Sequence, residues 1–521
     1  MKEGNIIMNF LNHRRLIDYG SGYAVRGMCE KSKINHLYLI PHTPYLIPNK
    51  TNNSMRKSLF SIVLLFWAVL LHGQTYLPNW ESLDKRPVPA WFEDSKFGIF
   101  IHWGVYSVPS WGPTGDDVGV YDKYAEWYWN KLLNTGSKVN KHFSDFHLKT
   151  YGPAFKYQDF APMFKAELFE PDKWAELFRE SGAKYIVLTS KHHEGFTLWP
   201  SAESWNWNSV DIGPHRDLCG DLTASVKKAG LHMGFYYSLY EWFNPLYQSD
   251  LSKYVDNHMI PQMKDLVTRY IPDILWTDGE WDKSSKEWKS EEFLAWLYNE
   301  SPVKQNIVVN DRWGSETRSK HGGIYTTEYG LVGEKEGIDE SNKKPWEECR
   351  GIGTSFGYNR AENLDSYSSA KELIELLVST VAGGGNLLLD IGPAADGTIP
   401  VIMQQRLIEI GNWLKVNGEA IYGTRAYVKN RSDKSLNPAA NEEIFFTRKN
   451  NDLYVICTRW PAGNITLKGL KSSGNVKVQL LGSTSAVKLK SSGGNTIITP
   501  PPLTPDDSQL AYVFKLGSIL K

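Results

Sequence analysis

The sequence lacks an excess of either charge, because 58 Lys and Arg residues balance 58 Asp and Glu residues in a chain of 521 residues. Without a basic excess, no nucleic-acid partner is expected. Cysteine is scarce, with four residues, so a packed core rather than a disulfide framework must stabilise the fold. Aromatic residues are abundant at 13 %, including 20 Trp and 27 Tyr. They supply core volume and flat walls for clefts, and this composition excludes a disordered or fibrous protein.

The N-terminal part also lacks a hydrophobic run long enough to cross a bilayer. Its apolar stretch, Leu59–Leu71, follows a basic pair and ends just before a small residue. That pattern predicts a secretory signal peptide over residues 55–73 with cleavage near Gln74, although a membrane anchor is the alternative. Residues 1–54 would then lie upstream of the natural start and have no fold. We expect a mildly acidic mature chain, secreted or periplasmic, without an integral membrane segment.

Residues 74–424 alternate short β-branched or aromatic runs with amphipathic helical stretches, which is the pattern of an α/β fold. The predicted strands are Phe97–Ile101, Tyr185–Thr189, His232–Tyr237, Asp273–Trp276, Ile307–Val309, Ile324–Thr327, Trp346–Ser355 and Asn386–Ile391. Predicted helices include Trp174–Glu180, Ser368–Val381 and Pro400–Val416. Eight strands of this kind predict a (β/α)8 TIM-like barrel, in which the seventh strand has the weakest pattern. The alternative is an open doubly wound sheet, but no glycine-rich phosphate loop follows the first strand.

Residues 425–521 have a different sequence pattern, in which short apolar runs are separated by Gly, Ser, Asn and Pro. The runs are Ile444–Thr447, Leu453–Cys457, Val476–Leu481, Thr496–Thr499 and Ala511–Leu516. This spacing predicts a C-terminal all-β sandwich domain.

Polar and aromatic side chains follow the predicted barrel strands at the ends where barrel chemistry occurs. They are His102, His192, His193, Glu194, Tyr236, Tyr237, Asp278, Glu280, Arg312 and Glu328. We expect these carboxylates, imidazoles and aromatic rings to meet on one rim. Flat rings with hydrogen-bonding groups between them suit a pyranose, whose C–H faces are apolar and whose edge carries hydroxyls. The sequence therefore predicts a carbohydrate substrate.

Hydrolysis of a glycosidic bond requires two carboxylates. Asp278 is the strongest single candidate, because it ends a buried strand and the following glycine leaves room for a ligand; its alternatives are a helix N-cap or an ion pair with Arg312. The second carboxylate stays open at this point. The candidates are Glu328, Glu280, Glu347 and Glu126.

A metal site is not predicted. His192 and His193 are adjacent, so on a strand they would point to opposite faces and could not bind one ion without a bend. We predict neither a metal nor another cofactor.

Several motifs, taken in order, resemble the α-L-fucosidases of glycoside hydrolase family 29 from about residue 78 to 425. These motifs are Phe97–Gly104, Glu126–Tyr128, Lys191–Phe196, Asp211–Pro214, Trp276–Trp281, Asn310–Gly314 and Ser355–Asn359. The resemblance implies a catalytic barrel followed by a β-sandwich. It also implies exo-acting hydrolysis of terminal α-L-fucosyl linkages with retention of configuration, through a covalent glycosyl-enzyme intermediate.

The resemblance assigns roles residue by residue. It implies that Asp278 is the nucleophile and, from the T-x-E-Y-G segment, that Glu328 is the acid/base. The implied substrate pocket consists of His102, Glu126, Trp127, His192, His193, Tyr237, Trp276, Arg312 and Phe356. Expected substrates are fucosylated oligosaccharides, glycoconjugates or fucans. The alternatives are an α-L-galactosidase of the same family and a secreted carbohydrate-binding protein without catalysis; the second predicts a missing carboxylate, yet both are present.

Overall fold

The structure is a computed structural model of the chain. It describes residues 75–329, 344–427, 444–472, 476–504 and 509–520. The predicted upstream extension, residues 1–54, and the predicted signal peptide, residues 55–73, lie outside these ranges. No helix in the ranges described is both long and apolar enough to cross a membrane.

Eight parallel strands form one sheet. They are β1 Phe97–Ile101, β2 Tyr185–Lys191, β3 His232–Ser238, β4 Ile274–Asp278, β5 Val308–Val309, β6 Tyr325–Glu328, β7 Trp346–Gly351 and β8 Asn386–Ile391. The first and last strands of the barrel, β1 and β8, are paired, and the strand order in the sheet is β5-β4-β3-β2-β1-β8-β7-β6. At the remaining seam the Ile324 N–H donates to the Val309 carbonyl over 2.9 Å. The predicted barrel is confirmed, including its seventh strand.

Helices cover the outside of this sheet, as a parallel sheet buried on both faces requires. The α-helices are Trp80–Leu83, Ala90–Ser95, Tyr128–Leu133, Asn140–Tyr151, Pro171–Glu180, Leu218–Lys228, Pro245–Ser249, Leu251–Tyr254, Ile260–Tyr270, Ser285–Trp288, Ser290–Asn299, Ala370–Ala382 and Val401–Asn417. A capping box begins Ala370–Ala382, in which the Ser369 side chain accepts from the Glu372 N–H and the Glu372 side chain from the Ser369 N–H. Because its partners are local, this helix start is readable from sequence.

Strand alternation separates an inner from an outer core. Inward side chains such as Phe100, Tyr236 and Trp276 pack together inside the barrel, whereas outward ones such as Phe235 and Leu275 pack with the helices. Neighbouring residues of one strand thus have different environments. This parity decides which side chains can reach the open end of the barrel.

Two antiparallel sheets form the C-terminal part. Five strands make one sheet, namely β9 Arg425–Ala426, β10 Ile444–Lys449, β11 Asp452–Cys457, β13 Lys477–Leu480 and β16 Tyr512–Gly517. Three strands make the other, namely β12 Ile465–Leu467, β14 Lys488–Ser492 and β15 Asn495–Thr499. Leu453, Leu467, Ile498 and Phe514 belong to one shared core. The predicted sandwich is confirmed, with β9, β12 and β14 added to the predicted runs.

Candidate active site

A cavity of about 290 Å³ lies where the strands of the barrel end. Asp278 and Glu328 close strands β4 and β6 and both line it. The other predicted residues around it are His102, Glu126, Trp127, His192, His193, Trp276, Arg312 and Phe356. One predicted pocket residue, Tyr237, does not line the cavity.

The placement of Tyr237 in the pocket is wrong, and its neighbour takes that position. Tyr237 faces the outer core, where its hydroxyl donates to Gln262 Oε1 over 2.8 Å. Tyr236 faces inward, lines the cavity and donates its hydroxyl to Asp278 Oδ2 over 3.0 Å. The physical reason is the period of two along a strand, since only one of two adjacent side chains can point into the barrel.

Asp278 is a buried carboxylate held by donors on both oxygens. Arg312 Nη1 donates to Oδ1 over 2.7 Å, and Tyr236 occupies Oδ2. Arg318 adds a second guanidinium, with Nη2 at 3.9 Å from Oδ1. Burial opposes ionisation, but the neighbouring basic groups, of which Arg312 contributes most, together hold the pKa of Asp278 well below its usual range. Asp278 is therefore ionised and oriented, as a nucleophile must be.

Glu328 faces Asp278 across the same guanidinium. Arg312 Nη2 lies 3.5 Å from Glu328 Oε2, and the Tyr124 hydroxyl donates to Oε1 over 3.1 Å. Arg312 itself is fixed, because its Nε donates to Thr326 Oγ1 over 3.0 Å. Its guanidinium carbon lies 4.4 Å from the centroid of the Trp276 ring. One immobilised cation thus brings the two carboxylates together.

Two competing carboxylates are engaged elsewhere. Glu280 accepts from Arg318 Nε over 2.6 Å and is not among the residues that line the cavity. Glu347 lies beneath the floor, where it accepts from Trp276 Nε1 over 3.0 Å and from the Tyr185 hydroxyl. Neither faces the space next to Asp278.

Glu126 does line the cavity. Its Oε2 accepts from the Gly357 N–H over 2.9 Å and from Ser355 Oγ over 3.1 Å. Burial raises the pKa of Glu126 to about 7, so this carboxyl carries a proton in mildly acid solution. A protonated carboxyl can donate a hydrogen bond, which suits recognition of a hydroxyl.

His102 and His193 give the pocket neutral, polar walls. His193 Nδ1 lies 2.6 Å from Ser238 Oγ, and the Ser238 hydroxyl donates to the Tyr240 carbonyl over 2.6 Å. Because that hydroxyl proton is used, His193 Nδ1 is the donor and Nε2 is an acceptor. Burial lowers the pKa of His193, and likewise of His102, well below the usual range. His102 is fixed through Nδ1, at 2.7 Å from Asp390 Oδ1.

The expectation that His192 and His193 point apart is wrong. Both line the cavity, with ring centroids 4.1 Å apart. They follow β2, which ends at Lys191, and the pairing of β2 with β3 shifts register between Thr189 and Lys191. Strict alternation does not extend past the end of a strand, so the adjacent rings can share one wall.

The substrate pocket implied by the resemblance omits several residues that line the cavity. They are Phe100, Tyr121, Tyr124, Lys131, Tyr236, Trp281, Arg318 and Cys349. Phe100 and Tyr236 were accessible to the strand-parity argument, since both face the barrel interior. Tyr121, Tyr124 and Arg318 lie in the connections between barrel strands, where no periodic pattern exists to predict which way the side chains point.

A parallel eight-stranded barrel with two facing carboxylates in an aromatic pocket is the architecture of a barrel glycoside hydrolase. The chain matches the alpha-L-fucosidase family model over residues 65–419 and the alpha-L-fucosidase C-terminal domain over residues 437–517. It therefore belongs to the α-L-fucosidases of glycoside hydrolase family 29.

Known relatives cover nearly all of the described chain. The α-L-fucosidase of Dictyostelium discoideum is 44 % identical over 485 residues, which is 89 % of this chain and all of the relative. The human tissue α-L-fucosidase is 41 % identical over 455 residues, 85 % of this chain and 92 % of the relative. A Thermotoga maritima α-fucosidase, solved with a mechanism-based inhibitor, superposes with a TM-score of 0.71 at 39 % identity, covering 85 % of this chain and 99 % of that one.

Proposed function

We propose that this protein is an exo-acting α-L-fucosidase that hydrolyses terminal α-L-fucosyl linkages with retention of configuration. The family supports the fucosidase activity, and the finer mechanism rests on one observation. Arg312 contacts the Asp278 carboxylate at 2.7 Å and the Glu328 carboxylate at 3.5 Å. A shared guanidinium supports a short separation between the carboxyls, and retaining enzymes use about 5 to 5.5 Å.

The reaction proceeds in two displacements. Asp278 attacks the anomeric carbon while Glu328 gives a proton to the departing glycosidic oxygen, which leaves a fucosyl ester on Asp278. Glu328, now a carboxylate, takes a proton from water as that water attacks the same carbon. The ester bond breaks, fucose is released with its original configuration, and Asp278 returns as a carboxylate. No cofactor takes part in these steps.

Sugar recognition is assigned to the remaining walls. The acceptor His193 Nε2 and the carboxyl of Glu126 suit the hydroxyl edge of fucose. Phe356 stacks on His102 with centroids 4.9 Å apart, and with Trp127 it offers an apolar surface to the C6 methyl. Fucosylated oligosaccharides, glycoconjugates or fucans are the expected substrates.

The test is the anomeric configuration of the first product. Hydrolysis of an aryl α-L-fucoside, followed by proton NMR, should release α-fucose before mutarotation; β-fucose as the first product would exclude the retaining mechanism. Asp278→Gly should lose roughly 10³-fold or more in kcat while fucose still binds. The wild type separates the alternatives: faster turnover of the aryl α-L-galactoside would identify an α-L-galactosidase, and fucose binding without turnover of either would identify a binding protein.

We also propose that the protein is exported, with residues 55–73 as a cleaved signal peptide. The support is the basic, apolar and small-residue pattern of that segment. N-terminal sequencing of secreted material should begin at or near Gln74. Secreted protein that still carries residues 1–54 would refute this proposal.

A further inference from the structure

An exposed aromatic ring stands at the mouth of the catalytic cavity. Tyr121 lies on the short 3-10 helix Val120–Asp122, in the connection that follows β1. Its side chain is exposed, at 50 % of the residue's accessible area, yet it lines the same cavity as Asp278 and Glu328. A solitary exposed ring needs no explanation on an open surface, but this one borders the reacting groups.

The contacts of Tyr121 place it on the leaving-group side. Its ring meets Tyr124 edge-on, with centroids 5.6 Å apart and an interplanar angle of 83°. The Tyr124 hydroxyl in turn donates to Glu328 Oε1 over 3.1 Å. Burial and then the negative charge of Glu328 raise the pKa of the Tyr121 phenol, because both disfavour the negative charge of the phenolate. Tyr121 therefore lies one ring beyond the residue assigned to protonate the leaving oxygen.

The segment that carries Tyr121 is anchored. Asp122 Oδ1 pairs with Lys131 Nζ over 3.0 Å, and the Lys131 side chain is only 13 % exposed. Lys131 Nζ also lies 5.8 Å from the centroid of the Trp127 ring. The link ties the Tyr121 segment to a wall of the sugar pocket. Such pre-organisation reduces the entropy cost when a ring of a ligand stacks on Tyr121.

Trp281 is the other exposed ring of the cavity lining, with 36 % of its accessible area exposed. It lies 5.7 Å from Trp127 and 5.2 Å from His193, centroid to centroid. His193 Nε2 is 3.7 Å from Asp278 Oδ2, so Trp281 is associated with the nucleophile. Between the two rings, Tyr121 is the one linked to the acid/base.

We propose that Tyr121 is the aglycone-binding residue, which stacks its exposed face on the ring attached to fucose. This inference rests on the proposed fucosidase function and adds the substrate class: α-L-fucosides whose leaving group is a pyranose or aryl ring with a flat apolar face. Ring stacking of this kind needs no fixed hydroxyl pattern, so it favours ring-shaped leaving groups as a class. A leaving group without a ring gains nothing from Tyr121.

The experiment compares two substrates that differ in the leaving group. We expect Tyr121→Ala to lower kcat/KM for 4-nitrophenyl α-L-fucoside about tenfold more than for α-L-fucosyl fluoride, because only the aryl group stacks on the ring. Tyr121→Phe keeps the ring and should retain the wild-type preference. The inhibition constant of free fucose should be the same in all three proteins, since fucose does not reach the mouth.

Two controls separate the proposal from other causes. Trp205→Ala removes a ring that is 77 % exposed and outside the cavity lining, so it should leave the preference unchanged. An equal loss on both substrates, or a shifted pH profile of kcat/KM, would mean that Tyr121 acts through Glu328 and would overturn the proposal. No loss on either substrate would overturn it too, whereas a wild type inactive on both would refute the fucosidase function itself.

Discussion

At the scale of single residues, two adjacent tyrosines on β3 have different tasks. Tyr236 donates to Asp278, the proposed nucleophile, and Tyr237 donates to Gln262 in the outer core. The sequence placed both tyrosines at the end of the predicted strand, and the resemblance alone did not show which of the two faces the barrel interior. Asp278 could be singled out from the residues, because it ends a buried apolar strand, whereas Glu328 was chosen among four glutamates only through the resemblance.

This difference gives a matched pair of substitutions. Tyr236→Phe removes a hydroxyl donor from Asp278, and we expect kcat/KM to fall by roughly 10- to 100-fold. Tyr237→Phe should leave kcat/KM unchanged but lower the free energy of unfolding by about 1 kcal/mol, because a buried hydrogen bond is lost. Steady-state kinetics and urea denaturation of both variants measure these effects. A loss of kcat/KM in Tyr237→Phe but not in Tyr236→Phe would show that Tyr237, not Tyr236, belongs to the pocket.

At the scale of elements, the barrel encloses a carboxyl under the catalytic floor. Glu347 on β7 accepts from Trp276 Nε1 and from the Tyr185 hydroxyl, which links three strands inside the barrel. Burial raises the pKa of Glu347 to about 7. The folded protein thus keeps a proton that the unfolded chain releases near pH 4.5, the ordinary value for a glutamate.

This shift predicts a pH dependence of stability. A raised pKa contributes stability that is complete below about pH 4.5 and is lost as pH rises through about 7. The amide in Glu347→Gln offers a hydrogen-bond donor and an acceptor, as the protonated carboxyl does, but it does not titrate. The free energy of unfolding of this variant should therefore not decline over this pH range. Between about pH 4.5 and pH 8, the free energy of unfolding of the wild type should fall relative to that of the variant by up to about 3 kcal/mol. Urea unfolding at fixed pH values measures this difference. Parallel curves for the two proteins would show that Glu347 does not titrate in this range.

Elements differed in how far sequence could predict them. Barrel strands such as β1, β2 and β8 contain apolar runs, and the helix Ala370–Ala382 has a capping box at its start, so these elements were predicted from the sequence. Strand β14, Lys488–Ser492, is mostly exposed and β12 has three residues. Neither provides the alternating apolar pattern by which a strand is recognised, because β14 has no buried side chain and β12 is too short to show a period of two.

At the scale of the whole molecule, barrel and sandwich share one core. Trp413, in the last barrel helix, donates its indole N–H to the Ala511 carbonyl over 2.9 Å in the sandwich. Ile456 and Val513 from the sandwich belong to the same buried cluster as the barrel residues. The C-terminal part is therefore needed to complete the barrel core.

A shared core predicts cooperative unfolding. Wild type should unfold in a single transition followed by both tryptophan fluorescence and circular dichroism. Trp413→Ala should lower the free energy of unfolding by about 3 to 5 kcal/mol, the usual effect of removing a buried tryptophan. Trp205→Ala, which removes an exposed ring, serves as the control and should have little effect. Two separate transitions in the wild type would contradict the shared core.

The assignment of Asp278 and Glu328 is tested most directly by the product that Glu328→Ala forms in azide. Without the acid/base, the fucosyl ester on Asp278 should accumulate from an activated aryl fucoside, and azide should attack it because azide needs no deprotonation. We expect rescued turnover and fucosyl azide of the α configuration, the same as the substrate. β-Fucosyl azide from Glu328→Ala would mean that this variant had lost the nucleophile, and the two roles would be reversed.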